Sequence, residues 1–233
     1  MSQVTRTHEN IETYKLEYIE KLNIENKTPE YIIIWLHGLG ADYYDFVPVV
    51  TEIKLHTCVK YIFPNAPLLP ITVNNGYVMR AWYDIRDTVN FANTVDRQGI
   101  NLSAQRIEKL IDSVVATGFK SERIILAGFS QGGVIAYIAG IQSKHKLSGI
   151  LALSCYLPEV SHFMPENGVN QKTPILACHG KEDLIVPYSA GFAAYNELRN
   201  LGFNISWISY PMNHGLCSEE IKDISLWLHD RFL

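Results

Sequence analysis

The 233-residue chain contains no long apolar run. Its longest strongly apolar stretch, Ile32 to Leu36, is far short of the roughly 20 residues needed to span a bilayer. Cysteine is sparse: Cys58, Cys155, Cys178 and Cys217 lie far apart with no C-x-x-C spacing. Neither a disulfide framework nor a zinc site is therefore expected, and free thiols in a reducing cytoplasm are the simplest reading. The first ten residues are polar and lack an apolar signal core, which argues against secretion. Without export, the glycosylation-like patterns at Asn26, Asn101 and Asn204 carry no meaning. Positive charge is not in excess: 20 Lys and Arg against 24 Asp and Glu leave a net charge of −4. That balance gives no electrostatic case for nucleic-acid binding. Repeats, low-complexity tracts and Gly/Ser linkers are also missing. What remains is 47% hydrophobic and 19% charged, a soluble globular composition that excludes a disordered or collagen-like chain.

Residues 1–26 alternate weakly, with Tyr14, Leu16 and Tyr18 on one side, and read as an edge strand or hairpin joined to a domain spanning 27–233. Beyond them, short apolar runs at 31–36, 59–63, 123–129, 149–154, 174–179 and 203–210 alternate with helix-period segments. Most runs are uniformly apolar, as strands buried on both faces of a parallel sheet require. In 102–117, Ile107, Leu110, Ile111, Val114 and Val115 form one stripe, and 188–201 and 218–232 show similar faces. The pattern predicts a single α/β domain with a mainly parallel sheet flanked by helices. Residues 64–100 have no convincing period, yet are rich in Leu, Val, Tyr, Met and Trp. Their place after a strand's carboxyl end, where open α/β sheets bind ligands, points to a binding excursion.

Gly128-Phe129-Ser130-Gln131-Gly132 is a G-x-S-x-G pentapeptide between a predicted buried strand and a small-residue helix. In that setting the chain must turn sharply, holding Ser130 Oγ above the sheet edge at a helix amino end. A serine hydroxyl is a poor nucleophile without a base, and the base needs an orienting acid. Asp183 follows a buried run and precedes a helix; the adjacent Glu182 is its rival. His214 follows the run at 203–210 in a short loop, whereas His229 sits deep in the last helix. His37 and His179 end strands before Gly, where a structural hydrogen bond is the better reading. An oxyanion hole would draw on the amide after the nucleophile, Gln131, and on the loop His37-Gly38-Leu39-Gly40. That loop lacks both G-x-G-x-x-G and the P-loop lysine, which argues against phosphate binding.

Several segments in register resemble the carboxylesterase/acyl-protein thioesterase (lysophospholipase-like) family of α/β-hydrolases. They are Trp35-Leu-His-Gly-Leu-Gly-Ala41, Phe63-Pro-Asn-Ala-Pro67, Met79-Arg-Ala-Trp-Tyr-Asp-Ile85, Gly128-Phe-Ser-Gln-Gly-Gly133, Leu153-Ser-Cys-Tyr-Leu-Pro158 and His179-Gly-Lys-Glu-Asp183. The resemblance runs from about Tyr31 onward and implies an α/β-hydrolase fold without a separate cap domain. It implies Ser130, Asp183 and His214 as the triad and the Leu39 and Gln131 amides as the oxyanion hole. It further implies that 68–82 form a mobile loop bordering an acyl channel, with Trp82 near the substrate. Leu68, Leu69, Ile71 and Met79 are the apolar residues expected to line it. Such enzymes need no cofactor or metal, are cytoplasmic and are often dimeric. Two departures stand out: the histidine loop, Tyr210-Pro-Met-Asn-His214-Gly215, is one residue shorter than the family's, and Gly replaces the usual Ser after the histidine.

The expected function is hydrolysis of carboxylic esters or thioesters through an acyl-enzyme, with a small ester, a lipid or an acylated protein as substrate. The physiological role would be that of an acyl-protein thioesterase or lysophospholipase. A non-catalytic ligand-binding module of the same fold is the alternative. No basic amphipathic helix is apparent, so any membrane contact is expected to be weak and reversible.

Overall fold

Six apolar runs become six mutually parallel strands. They are β2 (Tyr31–Leu36), β3 (Val59–Pro64), β6 (Ile124–Phe129), β7 (Gly149–Leu153), β8 (Ile175–Gly180) and β9 (Ile205–Tyr210). The structure is a computed structural model that describes residues 15–87, 95–165 and 168–232. β1 (Tyr18–Leu22) pairs antiparallel with β3, giving the sheet order β1-β3-β2-β6-β7-β8-β9. The N-terminal segment thus supplies an edge strand; Tyr14 lies outside the described residues.

β2 shows why the runs are apolar throughout. Ile32, Ile34 and Leu36 enter one core with the helices α2 (Arg97–Ala116) and α3 (Gln131–Gln142). Tyr31, Ile33 and Trp35 enter a second core on the other face, with α1 (Val47–Glu52) and α5 (Ser218–His229). Alternate side chains of one strand therefore both need apolar partners. The helix α4 (Tyr188–Asn200) covers the first face through Leu198. α3 is buried from Gln131 to Ile141, matching its nearly all-apolar sequence.

Several boundaries differ from expectation. α2 begins at Arg97 rather than Leu102, because the Asp96 carboxylate accepts the Gly99 N–H and caps the helix there. α5 ends at His229 rather than Phe232. The single-turn α1 was not expected: its Val-rich sequence with Pro48 carries no helical period. The largest difference lies in 64–87. Instead of an irregular loop it holds an antiparallel hairpin, β4 (Leu68–Ile71) and β5 (Tyr77–Arg80), paired from Leu68↔Arg80 to Ile71↔Tyr77. The hairpin is tied down by Asp84, which accepts bonds from the Thr72 N–H at 2.8 Å and hydroxyl at 2.7 Å.

Candidate active site

Because β2, β6, β8 and β9 run parallel, the loops at their carboxyl ends share one edge of the sheet, and there the candidate residues meet. Ser130 joins β6 to α3 with φ 54° and ψ −120°, a conformation a side-chain-bearing residue holds only under constraint. The flanking glycines supply it. A Cβ on Gly128 would strike the Gly132 carbonyl, and one on Gly132 would strike the Leu36 carbonyl. The Ser130 N–H donates to the Leu153 carbonyl at 2.8 Å, fastening the turn to β7.

The Ser130 hydroxyl lies 2.9 Å from His214 Nε2, and His214 Nδ1 lies 2.7 Å from Asp183 Oδ2. With Nδ1–H donating to the carboxylate, Nε2 is left to accept the serine proton. The other carboxylate oxygen, Asp183 Oδ1, accepts the Ile185 and Val186 N–H groups, each at 2.9 Å. Asp183 is thus anchored by its own loop and its side chain is fully buried, whereas the rival Glu182 is exposed. The His214 ring packs on Phe129 at 4.8 Å. Its short loop is pinned by the Lys181 N–H to the Tyr210 carbonyl at 2.8 Å and the Glu182 N–H to the Met212 carbonyl at 3.1 Å. That approach leaves no room for a Cβ at Gly180, which would meet the Met212 carbonyl.

The loop after β2 reaches the same point: a Cβ on Gly38 would stand 3.5 Å from Ser130 Cβ. Its shape is set by neutral His37, whose Nδ1–H donates to the Gly38 carbonyl at 2.7 Å while Nε2 accepts the Ala66 N–H at 3.0 Å. Burial pushes His37 down to about 4, so it stays uncharged at neutral pH. The Gly40 N–H donates to the Arg80 carbonyl at 2.9 Å. Leu39 lies in this loop, and Gln131 is the first residue of α3, directly after Ser130. His179 is structural as well, donating from Nε2 to the Val186 carbonyl at 2.8 Å, with burial lowering its pKa.

The expected channel residues divide. Leu69 and Met79 are register partners on the hairpin, both half-buried, and Met79 Sδ would lie 3.6 Å from a Cβ on Gly40, in the loop after β2. Leu68 instead points outward and is 62% exposed. Ile71 and Trp82 are completely covered and present no free surface to a ligand. The Trp82 indole N–H donates to the His37 carbonyl at 2.9 Å, so this residue braces the loop after β2. Gln131 has a second part that sequence reasoning missed. Its buried side chain accepts the Trp82 N–H at 2.8 Å and donates to the Tyr83 carbonyl at 2.7 Å. Only its polarity at the head of an otherwise apolar helix hints at such a tie. Glu220 was also missed. It lies fully buried in the first turn of α5, and burial, only partly offset by the Cys217 backbone N–H, pushes its carboxyl up to about 8.

The sequence profile of the phospholipase/carboxylesterase family matches residues 19–230. Among curated relatives, acyl-protein thioesterase 1 of Emericella nidulans is 37% identical over 211 residues, covering 84% of this chain and 88% of its own. Acyl-protein thioesterase 1 of Gibberella zeae is 35% identical over 207 residues, with the same coverage of each. Of solved structures, Arabidopsis thaliana SOBER1 superposes with a TM-score of 0.81 at 30% identity, over 87% of this chain and 99% of that one. Zea mays acyl-protein thioesterase 2 gives 0.80 at 25% identity, over 94% and 100%.

Proposed function

Since the chain belongs to the phospholipase/carboxylesterase family of α/β-hydrolases and is a hydrolase of ester or thioester bonds, we propose that Ser130, His214 and Asp183 carry that reaction, on S-acylated protein or lipid substrates. The observation that carries the reading is the continuous chain from Ser130 Oγ through His214 to the buried Asp183, at 2.9 and 2.7 Å, on a strained turn. Ser130 Oγ attacks the acyl carbon while His214 Nε2 takes its proton, and Asp183 stabilises the resulting imidazolium. The carbonyl oxygen, now anionic, receives the Leu39 and Gln131 N–H groups, each such donor worth about 3–4 kcal/mol in the transition state. Collapse expels the thiol or alcohol with the proton from His214. Water then repeats the sequence on the acyl-serine and releases the carboxylic acid.

Leu69 and Met79 beside the oxyanion loop suit the acyl chain. Exposed Leu68, Tyr77 and Val78 on the same hairpin favour weak, reversible contact with a lipid surface. Among the described residues no helix is long and apolar enough to cross a membrane. The four free cysteines suit a reducing cytoplasm. A ligand-binding module would have no use for a serine hydroxyl poised 2.9 Å from a proton acceptor. Ser130→Ala is expected to abolish hydrolysis of p-nitrophenyl octanoate with an unaltered melting temperature. Retention of more than a few per cent of activity would place the nucleophile elsewhere.

A further inference from the structure

If His214 Nε2 returns the proton to the departing atom, the leaving group must lie on the His214 side of Ser130. This rests on the triad reading above. Beside His214 the molecule opens into a cleft of about 660 Å³ whose lining includes His214 and Phe129. Asp45, before α1, Glu52, at the end of α1, and Glu219, in the first turn of α5, stand along its walls. The rest of the lining is apolar or small, and no Lys or Arg contributes to it. All three carboxylates are exposed, and none makes an ion pair among the described residues. Partial desolvation and then the charge of nearby Asp42 raise the Asp45 carboxyl, so negative charge is concentrated at this wall. The positive end of the α5 dipole borders the same cleft, but it amounts to only about half a charge and Glu219 offsets it.

We propose that this cleft is the leaving-group subsite and that it selects thioesters whose acylated cysteine sits in a Lys- or Arg-bearing peptide segment. Asp45 and Glu52 are seven positions apart, most of the stretch in α1, a span of about 10 Å at 1.5 Å per residue. One ammonium group cannot neutralise both ends of that span. An extended peptide, rising about 3.3 Å per residue, brings basic side chains to both within about three residues of the cysteine. A lysophospholipid with a purely anionic headgroup, such as lysophosphatidylglycerol, fits less well, because its leaving group carries an uncompensated phosphodiester into the same negative field. The hairpin side of Ser130 holds the acyl chain, so the two halves of the substrate are read by separate surfaces.

The test compares kcat/KM for octanoyl thioesters of three cysteine peptides, flanked by Lys, by Ser or by Glu, and for octanoyl lysophosphatidylglycerol. p-Nitrophenyl octanoate serves as an uncharged reference. The wild type is expected to prefer the Lys peptide over the Glu peptide by about tenfold at low salt, narrowing as salt is raised. In Asp45→Asn/Glu52→Gln/Glu219→Gln the Lys peptide should become slower and the Glu peptide faster. A damaged fold would slow both, so opposite movement separates charge reading from instability. Equal rates for the two charged peptides, an unchanged ratio in the triple variant, or a preference for the lysophospholipid would each overturn the subsite. Turnover of the reference ester with none of the peptides accepted would overturn it too, while leaving the hydrolase reading intact. Failure on the reference ester itself would instead sink the triad assignment.

Discussion

Replacing Gln131 with Leu tests how the candidate nucleophile's turn is held. The side chain is 4% exposed and bridges two backbone groups of the segment that follows the hairpin, the Trp82 N–H and the Tyr83 carbonyl. Both residues are 1% exposed, so water cannot replace the lost partner. Leu has nearly the volume of Gln but offers neither donor nor acceptor. Each buried backbone group left unpaired costs about 1–3 kcal/mol, so the variant, which strands two, should lose about 2–6 kcal/mol. With a urea slope of about 2–3 kcal/mol per molar for a chain of this size, the unfolding midpoint should fall by roughly 0.7–3 M. Tryptophan fluorescence reports the transition, since Trp35 and Trp82 lie in the core. Gln131→Glu should show an intermediate loss that shrinks at low pH. It keeps an acceptor for Trp82, but until protonated it sets a carboxylate oxygen against the Tyr83 carbonyl. A midpoint shift below about 0.3 M in the Leu variant would refute the reasoning, because it would mean that the segment finds other partners.

Asp183→Asn should lower kcat on p-nitrophenyl butyrate by roughly 10⁴-fold, since an amide cannot hold His214 with Nε2 free to accept; exposed Glu182→Gln should be nearly silent, and the reverse ranking would refute the assignment. Glu220, pushed up to about 8 by burial, holds its proton in the folded state but not in the unfolded chain between about pH 4.5 and 8, so its contribution to stability declines as pH rises across that window. Glu220→Gln should flatten the profile and raise the melting temperature at pH 8.5, and an unchanged slope would contradict a neutral buried carboxyl. Leu69→Asp should reduce kcat/KM for octanoyl esters more than for acetyl esters, at about fourfold for each buried methylene, whereas a uniform drop would mean that the hairpin supports the fold rather than reading the chain.

Most of the six parallel strands were legible because a strand covered on both faces needs apolar neighbours on each, and that requirement leaves uninterrupted runs such as Tyr31–Leu36. The Ser, Asp, His order was legible for a related reason: each residue follows a readable strand in a short loop, so the topology brings all three to one edge. The turn α1 and the hairpin β4–β5 were not. A single helical turn and a pair of four-residue strands that bond only to each other leave too short a period to read. Which side chains reach the candidate site was decided by packing. Ile71 and Trp82 look like ligand contacts in sequence, but one is fully buried and the other braces the loop after β2 through its indole N–H. Asp183 and Glu182 are adjacent carboxylates that spelling cannot rank, whereas burial of one and exposure of the other does. The tautomer of His37, the tie through Gln131 and the acidic cleft beside His214 all join residues far apart along the chain. Local sequence encodes the elements and their order, because periodicity and turn chemistry act over a few residues. Hydrogen-bond partners, burial and the field within a cleft depend on three-dimensional neighbours, and only the folded chain supplies those.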